Sequence, residues 1–194
     1  MLSIRPFAIE GLDCLENSLL TIIKWKYNEF EQGFVDSFYF SYKQECGKRM
    51  GESLSVPTDN VINNFKKYYG FSIENIDFDK SNPEKVIRNE IEAGNPVMIS
   101  MDTFFCHWYE NYKKSHSVHV FIITGKVERG WSLIDTMPLR FNIQISDEDL
   151  KSGIRWIRKV RWGKRTEAFP SIFEVISKVL ERKCQRNELQ QMEM

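Results

Sequence analysis

Apolar residues recur at steps of three and four in the N-terminal part of the chain, a spacing that predicts amphipathic helices. In the first such segment, Leu15, Leu19, Ile22 and Ile23 fall on one helical face. We therefore predict a mostly buried helix over residues 14–26.

Two shorter segments with the same spacing follow. One opens at Thr58 and ends at Gly70, and the other opens at Ser81, carries Pro83 in its first turn and ends at Gly94. Glycine adopts the left-handed conformation that ends many helices, and proline fits the first turn because N–H groups there have no intrahelical partner. Both segments are predicted to be helices that precede a sheet.

From about residue 95 the pattern changes to runs of β-branched and aromatic residues, which favour strands. The polar, glycine-bounded residues 125–130 join the second run to the third and suit an antiparallel hairpin. The predicted fold class is α+β, with N-terminal helices packed on a C-terminal antiparallel sheet. The predicted strands cover residues 97–101, 118–124, 131–135 and 139–145.

The length of the chain and its fraction of hydrophobic residues indicate how many domains to expect. Of the 194 residues, 42% are hydrophobic, which is enough for one sizeable core. We expect a single domain over residues 1–194. Its helical part is expected at about residues 1–94, its sheet part at about 95–165 and a C-terminal helix at about 170–183.

Charge and cysteine content narrow the classes of function. Lys plus Arg equals Asp plus Glu at 27 each, so no net field draws the protein to nucleic acid. Because no apolar run approaches the roughly 20 residues that span a bilayer, no membrane association is expected. The four cysteines lie far apart and no signal peptide is recognised, so we expect free thiols and a cytoplasmic protein.

Cys14 is the first candidate for chemistry because it falls at the first position of the predicted helix. Asp13 followed by Glu16 fits a capping box, which fixes the start of the helix at this point. The free N–H groups and the dipole at a helix start favour an anion, which lowers the pKa of a thiol. Cys14 is therefore a candidate nucleophile, although a small buried apolar role would also explain it.

His119 and Asp135 form the second candidate pair. Each lies eight residues from residue 127 in the predicted hairpin, so their side chains are expected to meet across it. A carboxylate that accepts from one imidazole nitrogen leaves the other nitrogen to face a thiol. Taken singly, His119 also fits a half-buried strand histidine and Asp135 a residue that ends a strand.

Other histidines compete for the role of base. His116 is three residues from His119 but is expected in the loop before the strand, and His107 lies beside Cys106. Cys106, His107, His116 and His119 are a conceivable set of metal ligands, but their spacings match no common zinc pattern. No metal site is expected.

Three segments together resemble a known family. They are Asp13-Cys14 at a helix start, residues 94–102 with the sequence GNPVMISMD, and residues 119–125 (HVFIITG) followed by Leu133-Ile134-Asp135. Over roughly residues 9–140 the chain is similar to the N-terminal domain of butirosin biosynthesis protein H and its relatives, which are papain-like cysteine acyltransferases. The bacterial double-glycine leader peptidases share this order of residues, and the resemblance implies a papain-like cysteine peptidase fold.

Two departures from the leader peptidases bear on the chemistry. Those enzymes carry a Gln upstream of the Cys as an oxyanion donor, whereas residues 7–12 here are FAIEGL, without Gln. They also carry a Gly directly after the Cys, where this chain has Leu15. Both differences favour acyl transfer over peptide cleavage. The backbone N–H of Cys14, at the helix start, is a candidate donor to the oxyanion, and no second donor is assigned.

The resemblance implies that Cys14 forms an acyl-enzyme, with His119 as the base and Asp135 as the residue that orients it. The implied enzyme is an acyltransferase or thioesterase of specialised, nonribosomal peptide or polyketide-type biosynthesis. The acyl or peptidyl group would come from the phosphopantetheine arm of a carrier protein and pass to a small-molecule acceptor, or to water in a thioesterase, with no cofactor. By the same resemblance, Asp102 and Tyr109 are the expected substrate-binding residues. A papain-fold cysteine peptidase or amidase, and a non-catalytic accessory protein with the same fold, are the alternatives.

Residues 154–165 make a local basic stretch in a chain without net charge. Apolar and basic residues alternate loosely in its sequence, IRWIRKVRWGKR. Such a stretch suits an acidic carrier protein or a phosphate group. An exposed edge strand protected by Arg and Lys explains it equally well.

Overall fold

The computed structural model describes residues 1–34, 41–42, 47, 49, 54–55 and 60–164. Its α-helices are α1 (Cys14–Tyr27), α2 (Asn60–Tyr69), α3 (Pro83–Glu92) and α4 (Asp147–Gly153), with 3₁₀ turns at Glu31–Phe34 and Thr103–Phe105. The strands are β1 (Ser41–Tyr42), β2 (Leu54–Ser55), β3 (Phe71–Ile76), β4 (Val97–Asp102), β5 (Val118–Val127), β6 (Gly130–Thr136), β7 (Leu139–Ile145) and β8 (Ile154–Trp162).

The chain divides into two units. The first comprises Met1–Glu29 with Phe71–Gly163, and the second comprises Phe30–Gly70 with Lys164–Met194. In the first unit, six strands form one antiparallel sheet in the order β3-β8-β4-β5-β6-β7. The α+β class and the antiparallel sheet confirm the prediction, and the arrangement is consistent with a papain-like fold.

Both faces of this sheet are covered. One face carries the main core, in which Ile99, Phe121 and Leu133 are fully buried and to which Ile87 of α3 contributes. Helix α1 packs against β5 and β6, and its central residues from Asn17 to Ile23 are buried. The start of α1 is thereby fixed beside the two strands that carry His119 and Asp135.

The predicted strands correspond to β4, β5, β6 and β7, and the three predicted helices correspond to α1, α2 and α3. The expected helix ends are also found, since Gly70 and Gly94 have φ values of +62° and +81° and each donates its N–H back to the preceding helix. The predicted C-terminal helix at 170–183 lies outside the described residues.

Three elements differ from the prediction. Strand β3 lies within the stretch expected to be helical, and α4 was not predicted because its seven residues are too few for a clear helical period. Strand β8 lies between β3 and β4, so the interpretation of the basic stretch as an edge strand was wrong. An internal strand tolerates those basic residues here because acids on neighbouring elements pair with them.

The second unit contains α2, the 3₁₀ turn Glu31–Phe34 and the short β1-β2 ladder. Phe65 and Tyr69 of α2 are fully buried, and the Tyr69 hydroxyl donates to Gln32 Oε1 over 2.5 Å. No helix in the described part of the chain has the length and apolar character needed to cross a membrane.

Candidate active site

Cys14 is the first residue of α1, and a capping box holds it there. Asp13 Oδ1 accepts from the Glu16 N–H at 2.8 Å, and Glu16 Oε2 accepts from the Asp13 N–H at 2.9 Å. This confirms the predicted helix start. The capping box fixes the start of the helix at Cys14. Cys14 itself is half-buried.

Asn17 holds the segment that leads into Cys14. Its side-chain oxygen accepts from the Ile9 N–H at 2.8 Å, and its amide donates to the carbonyl oxygens of Ile9 and Leu12 at 3.3 and 3.1 Å. Asn17 is 1% exposed, so these bonds satisfy a buried polar side chain. The sequence alone does not indicate this role, because Asn17 lies two residues from both Leu15 and Leu19 and so on the other side of the helix, where a polar residue is expected to face solvent.

His119 and Asp135 meet, as predicted. His119 Nε2 lies 2.9 Å from Asp135 Oδ1, and the two side chains are 12% and 0% exposed. The predicted register was only approximate, because Val127 pairs with Gly130 and a bulge follows between Ile123 and Gly125. Asp135 therefore lies opposite Phe121, and His119 reaches it diagonally on the same face of the sheet.

Asp135 has two further hydrogen-bond donors. The Tyr109 hydroxyl donates to Oδ2 at 2.7 Å, and the Met137 N–H donates to Oδ1 at 2.9 Å. Burial raises the pKa of Tyr109, and the bond to Asp135 raises it further. The tyrosine thus remains a neutral donor. Tyr109 was expected on the substrate side, and its contact with Asp135 was not predicted.

The thiol of Cys14 interacts with His119 and with the backbone of β5. Burial raises the pKa of Cys14, but the hydrogen bond and charge of His119 and the Val120 N–H together lower it below the ordinary value of 9.0. Because His119 Nε2 is bound to Asp135, Nδ1 is the ring nitrogen left for the thiol. Cys14, His119 and Asp135 are thus brought together in the predicted order.

The pKa of His119 moves in the opposite direction. Burial lowers it, but the hydrogen bonds and negative charges of Asp135 and Cys14 raise it to about 9. A lowered thiol pKa beside a raised imidazole pKa favours a thiolate and an imidazolium near neutral pH. Such a pair is able to act as a nucleophile and as a proton donor to a leaving group.

The competing histidine, His116, belongs to a different cluster. Its Nδ1 lies 2.8 Å from Asp102 Oδ2, which also accepts from Arg155 at 2.8 Å, while Asp102 Oδ1 accepts from the Phe104 N–H at 3.1 Å. Burial raises the pKa of Asp102, but these donors lower it to about 2. The structure thus places Asp102, an expected substrate-binding residue, in an ion-pair cluster.

The neighbouring Cys106 differs from Cys14 in its surroundings. It is fully buried, and burial together with the charge of Asp135 raises its pKa to about 12. His107 contacts the rings of Trp108 and Tyr112. Within the part of the chain that the structure describes, no three His, Cys, Asp or Glu side chains are placed to share a metal ion.

The basic residues of β8 have partners on adjacent elements. Arg161 pairs with Glu74 of β3 at 2.9 Å, and Lys159 pairs with Glu90 of α3 at 2.6 Å. Arg155, as described, pairs with Asp102. This pairing leaves less free positive charge on β8 than the sequence suggests.

A family model described as butirosin biosynthesis protein H, N-terminal, matches residues 31–136, more than half of the chain. The matched segment contains His119 and Asp135, together with Asp102 and Tyr109, and it begins after α1. No curated protein matches the chain. The contribution of Cys14 to the site is therefore inferred from its geometry rather than from the family match.

Proposed function

The chain belongs to the butirosin biosynthesis protein H N-terminal family, and from this membership we propose that it is a cysteine-dependent acyltransferase or thioesterase of antibiotic biosynthesis. The observation that carries the proposal is the convergence of Cys14, His119 and Asp135 at the start of α1. Carbonyl substrates react with a thiolate that is held beside a base and a carboxylate.

The proposed donor is an acyl or peptidyl thioester on the phosphopantetheine arm of a carrier protein. The Cys14 thiolate attacks the thioester carbonyl carbon, and collapse of the tetrahedral adduct breaks the bond to the phosphopantetheine sulfur. His119, in its imidazolium form, gives its proton to that departing thiolate. The products of this half-reaction are an acyl-Cys14 thioester, a free carrier thiol and neutral His119.

In the second half-reaction neutral His119 removes a proton from the small-molecule acceptor, or from water in a thioesterase. The acceptor attacks the acyl carbon, and the Cys14 thiolate leaves. In neutral His119 the hydrogen bond from Nε2–H to Asp135 leaves Nδ1 as the nitrogen that takes the proton. The step restores the pair of thiolate and imidazolium. No cofactor enters either half-reaction.

A donor for the oxyanion is available at the helix start. The capping box uses the N–H of Glu16, and Asn17 donates its N–H to the Asp13 carbonyl at 3.0 Å. No acceptor among the described residues contacts the N–H of Cys14. We propose this N–H as one oxyanion donor, a contribution typically worth about 10²–10³ in rate.

Intact-mass measurement tests the proposal. The protein is incubated with carrier proteins loaded with different acyl groups, and a Cys14→Ala variant serves as the control. We expect an added acyl mass on the native protein and none on the variant. Cleavage of a peptide by a preparation that takes no acyl group from any thioester would instead support the peptidase alternative.

His119→Asn and His116→Asn provide a matched comparison. The two histidines are three residues apart, but His116 pairs with Asp102 whereas His119 pairs with Asp135. Loss of a general base typically costs about 10²–10⁴ in rate, so we expect His119→Asn to abolish measurable acylation and His116→Asn to retain it. Equal loss in both variants would contradict the assignment of His119.

A further inference from the structure

A groove of about 460 Å³ lies beside the start of α1. One wall is the segment 8–12 that leads into Cys14, together with Asn17. The other wall is the segment 136–139, which follows Asp135 and joins β6 to β7. The groove is thus bounded by the two segments that flank the proposed nucleophile and its carboxylate.

Two residues that line the groove are hydrogen-bonded to residues of the candidate active site. Thr136 Oγ1 donates to the Cys14 carbonyl oxygen at 3.4 Å, and the Met137 N–H donates to Asp135 Oδ1 at 2.9 Å. Leu12, on the facing wall, is two residues before Cys14. Both walls of the groove are therefore tied to Cys14 or Asp135, by hydrogen bonds on one side and by chain connection on the other.

Hydrogen bonds hold both walls of the groove in place. Buried Asn17 fixes the wall at residues 8–12 through its three hydrogen bonds to Ile9 and Leu12. The opposite wall is held by the hydrogen bond from the Met137 N–H to the fully buried Asp135. A cavity held on both sides is preorganised, which lowers the cost of ordering a ligand in it.

The lining of the groove is mainly apolar. Met137 and Leu139 are 45% and 52% exposed, so each presents apolar surface to water in the free protein. Glu10 is the charged residue in the lining, which contains no Lys or Arg. This combination favours an uncharged aliphatic group and disfavours a carboxylate or a phosphate. The apolar residues that line the groove are Ala8, Ile9, Leu12, Met137, Pro138 and Leu139.

We propose that the groove receives the apolar tail of the acyl group that Cys14 accepts, so that the protein selects uncharged aliphatic acyl chains such as hexanoyl or octanoyl. This inference rests on the proposed function, because it names the acyl class for the same nucleophile. A volume of about 460 Å³ falls in the range of small-molecule sites. The phosphopantetheine arm and its phosphate lie outside the groove.

The test uses acetyl, butyryl, hexanoyl and octanoyl thioesters of N-acetylcysteamine. The rate at which each forms an acyl adduct on Cys14 is measured by intact mass at subsaturating concentration. Burial of one methylene gives about 0.8 kcal/mol, which corresponds to a rate increase of about fourfold per methylene for full burial. We expect an increase of about two- to fourfold per methylene up to the length that the groove holds.

Leu139→Glu and Phe141→Glu form a matched pair of variants. Both side chains are exposed on β7, at 52% and 61%, but only Leu139 lines the groove. We expect Leu139→Glu to lower the ratio of octanoyl to acetyl rates at least tenfold and Phe141→Glu to leave that ratio unchanged. Thermal unfolding of both variants verifies that they are folded.

Failure of the acyl-site inference gives a different result from failure of the proposed function. If acetyl and octanoyl thioesters acylate Cys14 at equal rates, or if both variants lower the ratio equally, the groove is not the acyl site although the proposed function stands. If no thioester acylates Cys14, the proposed function fails and the inference fails with it.

Discussion

The Tyr109 hydroxyl donates a hydrogen bond of 2.7 Å to Asp135 Oδ2, whereas His119 contacts the other carboxylate oxygen, Oδ1. Asp135 is fully buried, and its Oδ1 accepts from both His119 and Met137. A buried carboxylate is stable only when it is well supplied with donors. Tyr109 is therefore a positioning residue, since it acts on the imidazole through Asp135.

Replacement of Tyr109 by Phe removes one donor from this carboxylate. Since hydrogen bonds to charged groups contribute about 1.5–3 kcal/mol, we expect the free energy of unfolding at pH 7 to fall by that amount. We also expect the maximal rate of Cys14 acylation to fall with little change in KM, because Asp135 orients His119 less well. Urea unfolding and acylation kinetics measure the two effects.

Tyr112→Phe is the matched control for Tyr109→Phe. Tyr112 lies in the same connecting segment, and its hydroxyl has no hydrogen-bond partner among the residues that the structure describes. We expect this variant to match the native protein in both measurements. If the two variants lost equal stability and equal activity, Tyr109 would have no special role toward Asp135.

Asp102 is expected to stabilise the fold through its cluster with His116 and Arg155. Its pKa in the folded protein is about 2, below the ordinary 3.8, so its contribution is fully present above pH 3.8 and is lost as the pH falls through about 2. His116 and Arg155 are 66% and 48% exposed, so solvent screens the pairs and we expect a contribution of about 1–2 kcal/mol.

Urea unfolding of Asp102→Asn as a function of pH measures this contribution. We expect the variant to be less stable at pH 7 and its difference from the native protein to narrow between about pH 4 and pH 2. Asp77→Asn, which alters an exposed carboxylate after β3, is the control. A stable Asp102→Asn protein with impaired acylation would instead favour the substrate-binding role expected from the sequence.

The sequence predicted the parts of the site that depend on local pattern. The capping box at Asp13 and Glu16 fixed Cys14 at the start of a helix, and strand patterning brought His119 and Asp135 onto one hairpin. A hairpin register is set by short-range geometry, so two residues on its strands are predictable neighbours even when a bulge shifts their pairing.

The contacts that the sequence does not predict depend on tertiary structure. Tyr109 lies 26 residues from Asp135 in sequence, and the loop that carries it has no period from which its direction follows. Strand β8 pairs with β3 and β4, which are distant in sequence, so its basic residues resemble a free patch in the sequence although Lys159 and Arg161 have acidic partners in the fold. Long-range pairings of this kind leave little local signal.

The activation of Cys14 by His119 is measured by the rate at which iodoacetamide alkylates Cys14 as a function of pH, followed by peptide mapping. Because His119 lowers the pKa of Cys14 while its own pKa rises to about 9, thiolate is expected below the pH at which an ordinary cysteine ionises. Cys106, with a pKa of about 12, is the internal reference for an inert thiol.

In His119→Asn the burial of Cys14 is no longer offset by a cation, so the alkylation profile is expected to move to higher pH. In the native protein we expect rapid alkylation of Cys14 at neutral pH, with a midpoint below 9.0. A midpoint at or above 9.0 in the native protein, unchanged by His119→Asn, would show that His119 does not activate Cys14.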